Sequence, residues 1–136
     1  MRYKAPTKRS KYYLPRPVYR HAVTFCECYK VWREDIIDID KEAPKAIDYT
    51  TDKIKADAGD PTAEKAMKRA ALRKKVEIID RAAADVVKSE TLRQFIILGI
   101  TTPLSYEDLT TINIPCGRRQ YYQYRREIIY RIAKEL

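Results

Sequence analysis

The chain has 136 residues, 45% of them hydrophobic, with 28 Lys and Arg against 19 Asp and Glu and a formal net charge of +9. That length supports one modest core, the apolar share excludes a disordered polymer, and no run approaches the roughly 18 apolar residues of a membrane span. The positive balance points to a polyanionic partner, nucleic acid foremost.

Only 3 glycines are present, while Ala, Ile, Lys, Arg and Glu are abundant. Unbranched side chains lose little freedom in a helix, so the expected fold class is all-α, with no strand signal and no internal repeat. Cys26, Cys28 and Cys116 are odd in number and do not form a disulfide framework, which fits a reducing compartment. Met1-Arg2-Tyr3-Lys4 is basic but no apolar signal core follows, so the expected location is the cytoplasm.

Residues 1–16 read as a basic, turn-rich arm. Arg2, Lys4, Lys8, Arg9, Lys11 and Arg16 carry charge with no acid among them, and Tyr3, Tyr12 and Tyr13 are interleaved. Pro6, Pro15 and Pro17 argue against a helix across it. The arm either tracks a DNA backbone or minor groove, with Lys8, Arg9 and Lys11 on phosphates, or is a disordered tail without DNA.

A first helix is predicted over 17–38, with Val18, Ala22, Phe25, Tyr29, Trp32 and Ile36 as one apolar stripe. Residues 39–59 read as an acidic linker punctuated by Pro44 and Gly59. Asp60-Pro61 is a helix start, and a long helix runs to about Val87. Its stripe is Leu72, Val76, Ile79, Ala83 and Val86, preceded by Ala63, Ala66, Ala70 and Ala71, while Lys68, Arg69, Arg73 and Lys74 oppose it. Its length suggests a dimerisation face.

Ser89 caps a third helix with Leu92, Phe95 and Ile96 inward, ending near Gly99. Thr101-Thr102-Pro103 breaks the chain. Ser105 with Asp108 three residues on resembles a capping box and opens a short helix with Leu109 and Ile112 inward. Residues 113–117 form a turn. A last helix spans about 117–135 with Tyr121, Tyr124, Ile128 and Ile132 buried.

The last two helices, 105–136, have the plan of a helix-turn-helix, in which a short helix braces a second one lying in the major groove. With the inward positions removed, Arg118, Arg119, Gln120, Tyr122, Gln123, Arg125 and Arg126 remain to face duplex DNA. Arg reaches guanine O6 and N7 with two donors and Gln bridges adenine N6 and N7. Arg125, Arg126 and Tyr130 lie further along, where phosphates are the nearer targets.

Cys26, Cys28 and His21 do not read as a metal site. Two cysteines one residue apart on a helix point about 200° from each other, and no second ligand pair exists. His21, the one histidine, sits in no catalytic signature, and there is no P-loop or GxGxxG. No enzyme, metal or cofactor is expected. The tyrosines offer stacking platforms for single-stranded bases, but Tyr29, Tyr121 and Tyr124 lie on core stripes.

Three segments carry a family resemblance. They are Tyr106-Glu107-Asp108-Leu109, then Ile114-Pro115-Cys116-Gly117-Arg118-Arg119-Gln120-Tyr121-Tyr122, then Arg125-Arg126-Glu127-Ile128-Ile129-Tyr130-Arg131-Ile132-Ala133-Lys134-Glu135-Leu136. Together they resemble the C-terminal segment of phage late-gene transcription regulators of the RinA and ArpU type, itself similar to region 4 of sigma factors. Asp60-Pro61-Thr62-Ala63 and the run Arg69–Ile79 resemble short prophage proteins of Gram-positive bacteria. The resemblance covers 60–136, and 15–38 only loosely. It implies a helical DNA-binding protein that activates or otherwise controls phage late genes in the cytoplasm of a bacterial host cell and touches RNA polymerase. Pro115-Cys116-Gly117 departs from the polar, Ser-led start of such helices.

Three functions compete at this level. A sequence-specific regulator would act as a dimer on paired half-sites. A packaging protein of the small-terminase type usually carries its helix-turn-helix at the N-terminus, unlike here. A polymerase- or host-factor-binding protein would need no base reading, and the acidic linker would serve it as a docking segment.

Overall fold

The computed structural model describes residues 5–42 and 61–136, and their regular structure is entirely helical. Residues 43–59 of the acidic linker, the Asp60 cap, and Arg2, Tyr3 and Lys4 of the arm lie outside the described residues. No described helix is long and apolar enough to cross a membrane.

Helix α1 (Arg16–Glu27) starts behind Pro15 and holds Pro17 in its first turn, where a missing N–H costs nothing. The helix predicted over 17–38 is divided. At Cys28 the amide bonds Phe25 O at 3.2 Å, a three-residue step, and α2 (Tyr29–Glu42) begins. The backbone at Cys28 stays close to helical (φ −82°, ψ −6°), so the break is one tightened turn. The division suits the packing, because α1 lies on the C-terminal helices and α2 lies along the long helix. Ala22 and Cys26 are the buried residues of α1, whereas Val18, expected inward, is exposed. Phe25 and Trp32 meet edge to face across the break, 4.7 Å between centroids.

Helix α3 (Pro61–Val86) has 26 residues. Leu72, Val76, Ile79 and Ala83 are buried, as their spacing predicts, and Ala82 and Val87 join them. Side-chain hydrogen bonds at two places join α2 to α3. The Tyr29 hydroxyl donates to Asp80 at 2.7 Å, and the Arg69 guanidinium forks onto Asp40 at 2.6 and 3.3 Å. The second pair is exposed and contributes geometry more than energy.

Helix α4 (Glu90–Thr101) starts on the Ser89 cap, whose hydroxyl accepts the Leu92 N–H at 3.3 Å. Gly99, read from sequence as a helix stop, lies inside the helix, which runs two residues further. The glycine serves close approach instead. A Cβ there would overlap the Tyr121 hydroxyl and sit 2.9 Å from Leu109 Cδ1. The helix ends on its own side chains, since Thr101 and Thr102 hydroxyls donate to the Ile97 and Leu98 carbonyls.

Helix α5 (Tyr106–Thr110) has the full capping box: Ser105 Oγ accepts the Asp108 N–H, and the Asp108 carboxylate accepts the Ser105 N–H at 3.0 Å. Those bonds hold the Asp108 carboxyl below its ordinary range. The stop is a Schellman arrangement. Ile114 N–H bonds Leu109 O, Asn113 N–H bonds Thr110 O, and Asn113 takes a positive φ of 67°. Ile112, expected inward, therefore falls in the turn and is exposed, and Ile114 takes the buried place beside the core residue Leu109.

Helix α6 (Arg118–Glu135) buries Tyr121, Ile128, Ile129 and Ile132 against α1, α3 and α4. Tyr124 of the predicted stripe is only half-buried.

Two predictions follow from this packing. Gly99→Ala is expected to lower unfolding free energy by ~1–3 kcal/mol in urea melts, the range for overpacked sites. Combining it with Tyr121→Phe, which removes the overlapping hydroxyl, is expected to recover part of that loss. The second concerns alkaline pH. Burial pushes the Cys26 thiol up to about 12, and burial with the hydrogen bond to Asp80 pushes Tyr29 to about 12. Above the ordinary values near 9 and 10 the unfolded chain releases protons that the native state keeps. Stability is therefore full below about pH 9 and declines towards pH 12. Cys26→Ala is expected to flatten that decline in thermal melts from pH 7 to 11.

Candidate nucleic-acid interface

Helix α6 begins on Gly117 (φ −77°, ψ 164°) without a side-chain cap, and a Cβ at Gly117 would meet nothing within 4 Å. No acid stands in its first turn, where a carboxylate would favour the helix dipole. Arg118 and Arg119 stand there instead, which concentrates positive charge at this end.

The seven α6 residues nominated from sequence separate into three groups. The first braces the helix. Arg118 forms an ion pair with Glu107 of α5, and its guanidinium lies 5.8 Å from the Tyr106 ring centroid. Tyr106 donates its hydroxyl to Cys116 O at 2.7 Å and packs 5.6 Å from the Tyr121 ring. These contacts set the angle between α5, the 111–117 turn and α6.

The second group faces inward. Arg125, expected on the DNA side, turns to the core instead: Nη1 donates to Gly99 O at 2.8 Å and lies 3.5 Å from the Tyr121 hydroxyl. Gly99 O belongs to the last turn of α4, where intrahelical donors run out, so the guanidinium supplies one. Tyr122 is half-buried, 5.1 Å from the Tyr121 ring. Sequence periodicity missed Arg125 because a charged residue at an inward position reads as an outward one.

The third group faces out. Arg119, Gln120 and Gln123 are exposed and Arg126 is half-buried. Gln120 donates to the Tyr124 hydroxyl at 2.7 Å. At about 100° per residue, Arg119, Gln123 and Arg126 fall within about 60° of one another and form one row.

Tyr130 and the arm come together. Tyr12 donates its hydroxyl to Glu127 at 2.6 Å, and its ring meets Tyr130 edge-on at 5.7 Å. Leu14, two residues on, is buried in the core, and Lys8, Arg9 and Lys11 are exposed. Glu107, Glu127 and Lys134, none of them nominated from sequence, belong to this surface. Glu127 carried one signal, as the sole acid of α6 before Glu135.

Among the described residues no three His, Cys, Asp or Glu side chains converge as a metal site. Cys26 is fully buried and Cys28 half-buried, while His21 is exposed. Comparison of the chain with protein-family models, curated proteins and solved structures finds no match.

The split of the arginines is measurable by stability alone. Arg125→Met keeps the apolar stem but removes the bond to Gly99 O, and a lost charge-assisted hydrogen bond costs about 1.5–3 kcal/mol. Unfolding free energies from urea melts are expected to fall by that amount for Arg125→Met and to stay put for Arg119→Met. Equal effects would mean that Arg125 is not a core residue.

Proposed function

We propose that this protein binds duplex DNA and regulates transcription, with α5, the 111–117 turn and α6 acting as a helix-turn-helix. The carrying observation is the row Arg119, Gln123 and Arg126 on the outward side of a helix that a short, capped helix braces. Arg and Gln in one row are the residue types that read guanine and adenine edges in the major groove. The net charge of +9 supplies the attraction to phosphates.

Position along the helix assigns the tasks. Arg119 and Gln123, in the first two turns, read bases. Arg126, further on, meets the backbone. Arg118 holds α5 and α6 together and acts on DNA only through that geometry.

The setting we propose is the control of phage or prophage late genes, which rests on the resemblance to RinA- and ArpU-type regulators and sigma region 4. In that setting the protein acts as a dimer on paired half-sites and RNA polymerase is a second partner.

Selection from a random duplex pool, followed by binding over 50–200 mM salt, tests this. The expected result is a preferred site and a steep salt slope. Gln123→Ala and Arg119→Ala are each expected to lose about 1–3 kcal/mol of discrimination at a single base pair, while Lys8→Ala weakens all sequences alike. Steep salt dependence with no preferred site would overturn sequence-specific regulation in favour of packaging. No binding at low salt would overturn DNA binding altogether and leave a protein partner as the reading.

A further inference from the structure

The outward side of α6 is not bare along its whole length. Its N-terminal half presents Arg119, Gln123 and Arg126, whereas in its C-terminal half Glu127 and Tyr130 are met by Tyr12 of the N-terminal arm. Tyr12 is the joint, with its hydroxyl on Glu127 and its ring on Tyr130. Two tandem turns lead into it: Ser10 N–H bonds Thr7 O at 2.9 Å, and Tyr13 N–H bonds Ser10 O at 3.1 Å. Tyr12 N–H also bonds Ser10 Oγ at 3.1 Å, and Leu14 buries itself just beyond. A segment rich in lysine and proline is thus folded onto the helix at a defined place.

The charges flanking the two rings of this joint are positive. Lys11 Nζ lies 5.0 Å from the Tyr12 ring centroid, and Lys134 Nζ lies 5.0 Å from that of Tyr130. Lys8 and Arg9 are exposed on the turns that lead in. The one carboxylate in the middle, Glu127, accepts the Tyr12 hydroxyl and lies 3.6 Å from Arg131 Nε. On a polyanion-binding face an acid is a liability unless its charge is spent inside the protein, as it is here.

We infer that the arm and α6 form one composite phosphate-binding surface, in which Tyr12, Glu127 and Tyr130 are positioning residues. They hold Lys8, Arg9 and Lys11 beside Lys134, and these four charges continue the row of Arg119, Gln123 and Arg126 along the backbone of the same duplex. The inference rests on the proposed DNA binding. It changes the part of Tyr130 from phosphate contact to arm seat, and it makes residues 7–14 of the arm a preformed element in the absence of DNA. A pre-ordered segment loses less freedom on binding than a loose tail.

The test uses a neutral substitution. Tyr12→Ala removes no charge, yet it is expected to lower the salt slope of duplex binding nearly as much as the triple change Lys8→Ala, Lys11→Ala and Arg9→Ala. At roughly 0.9 per phosphate contact, three lost contacts flatten the slope by about 2.7. Tyr12→Phe keeps the ring on Tyr130 and is expected to fall between. Brief trypsin digestion without DNA reads the seat by itself: cleavage after Lys8, Arg9 and Lys11 is expected to be slow in the wild type and fast in Tyr12→Ala, with unchanged circular dichroism. Rapid cleavage in the wild type would overturn the seat. Slow cleavage with an unaltered salt slope in Tyr12→Ala would overturn the composite surface while DNA binding stands. If the wild type binds no duplex at low salt but stays protected, DNA binding fails and the seat alone survives.

Discussion

Three groups meet where α4 crosses α6: the missing side chain of Gly99, the buried ring of Tyr121 and the guanidinium of Arg125. Gly99 lets the Tyr121 hydroxyl approach the α4 backbone more closely than any Cβ would allow. Arg125, one turn on, donates to the Gly99 carbonyl and so supplies a donor that the end of α4 lacks. Burying an arginine is costly unless its hydrogen bonds are met. The contact thus fixes the rotation of α6 about its own axis, because Tyr121 and Arg125 must both point at one carbonyl turn.

That rotation decides the function argued for the chain. With Tyr121, Arg125, Ile128 and Ile132 turned in, Arg119, Gln123 and Arg126 are turned out. A twist of the helix by one residue, about 100°, would pull part of the core stripe out and carry Arg119, Gln123 and Arg126 off the outward side. The α5 helix adds a second constraint, since its capping box and the Arg118–Glu107 pair hold the short helix against the start of α6. The arm adds a third at the far end through Tyr12. A basic helix held at three points presents its charges at fixed places, which is what the proposed reading of a rigid double helix requires.

Much of this was legible in the sequence. The stripe Leu72, Val76, Ile79 and Ala83 gave α3, Ser89 and Ser105 gave two helix starts, and residues 113–117 gave the last turn. What escaped has a common cause. The division at Cys28, the continuation of α4 past Gly99 and the exposure of Ile112 are settled by which helix lies opposite, and local pattern holds no such information. Glycine signals a stop when read alone and a close crossing when read with Tyr121. Arg125 was assigned outward because charge is ordinarily a surface property, and its partner, a backbone carbonyl 26 residues away, leaves no trace in spacing. The seat of the arm joins Tyr12 to Glu127 across 115 residues and was equally out of reach.

The division of α6 into a pinned inner side and an outer side proposed to face DNA has one direct measurement. Arginine side-chain Nε–Hε resonances, followed during titration with a duplex carrying the selected site, report each guanidinium separately. The account predicts large shifts for Arg119 and Arg126 and unmoved signals for Arg125 and for Arg131, which sits near Asp85 and Glu127. Movement of Arg125 with Arg119 unmoved would contradict it, placing DNA on the side of the helix assigned to the core.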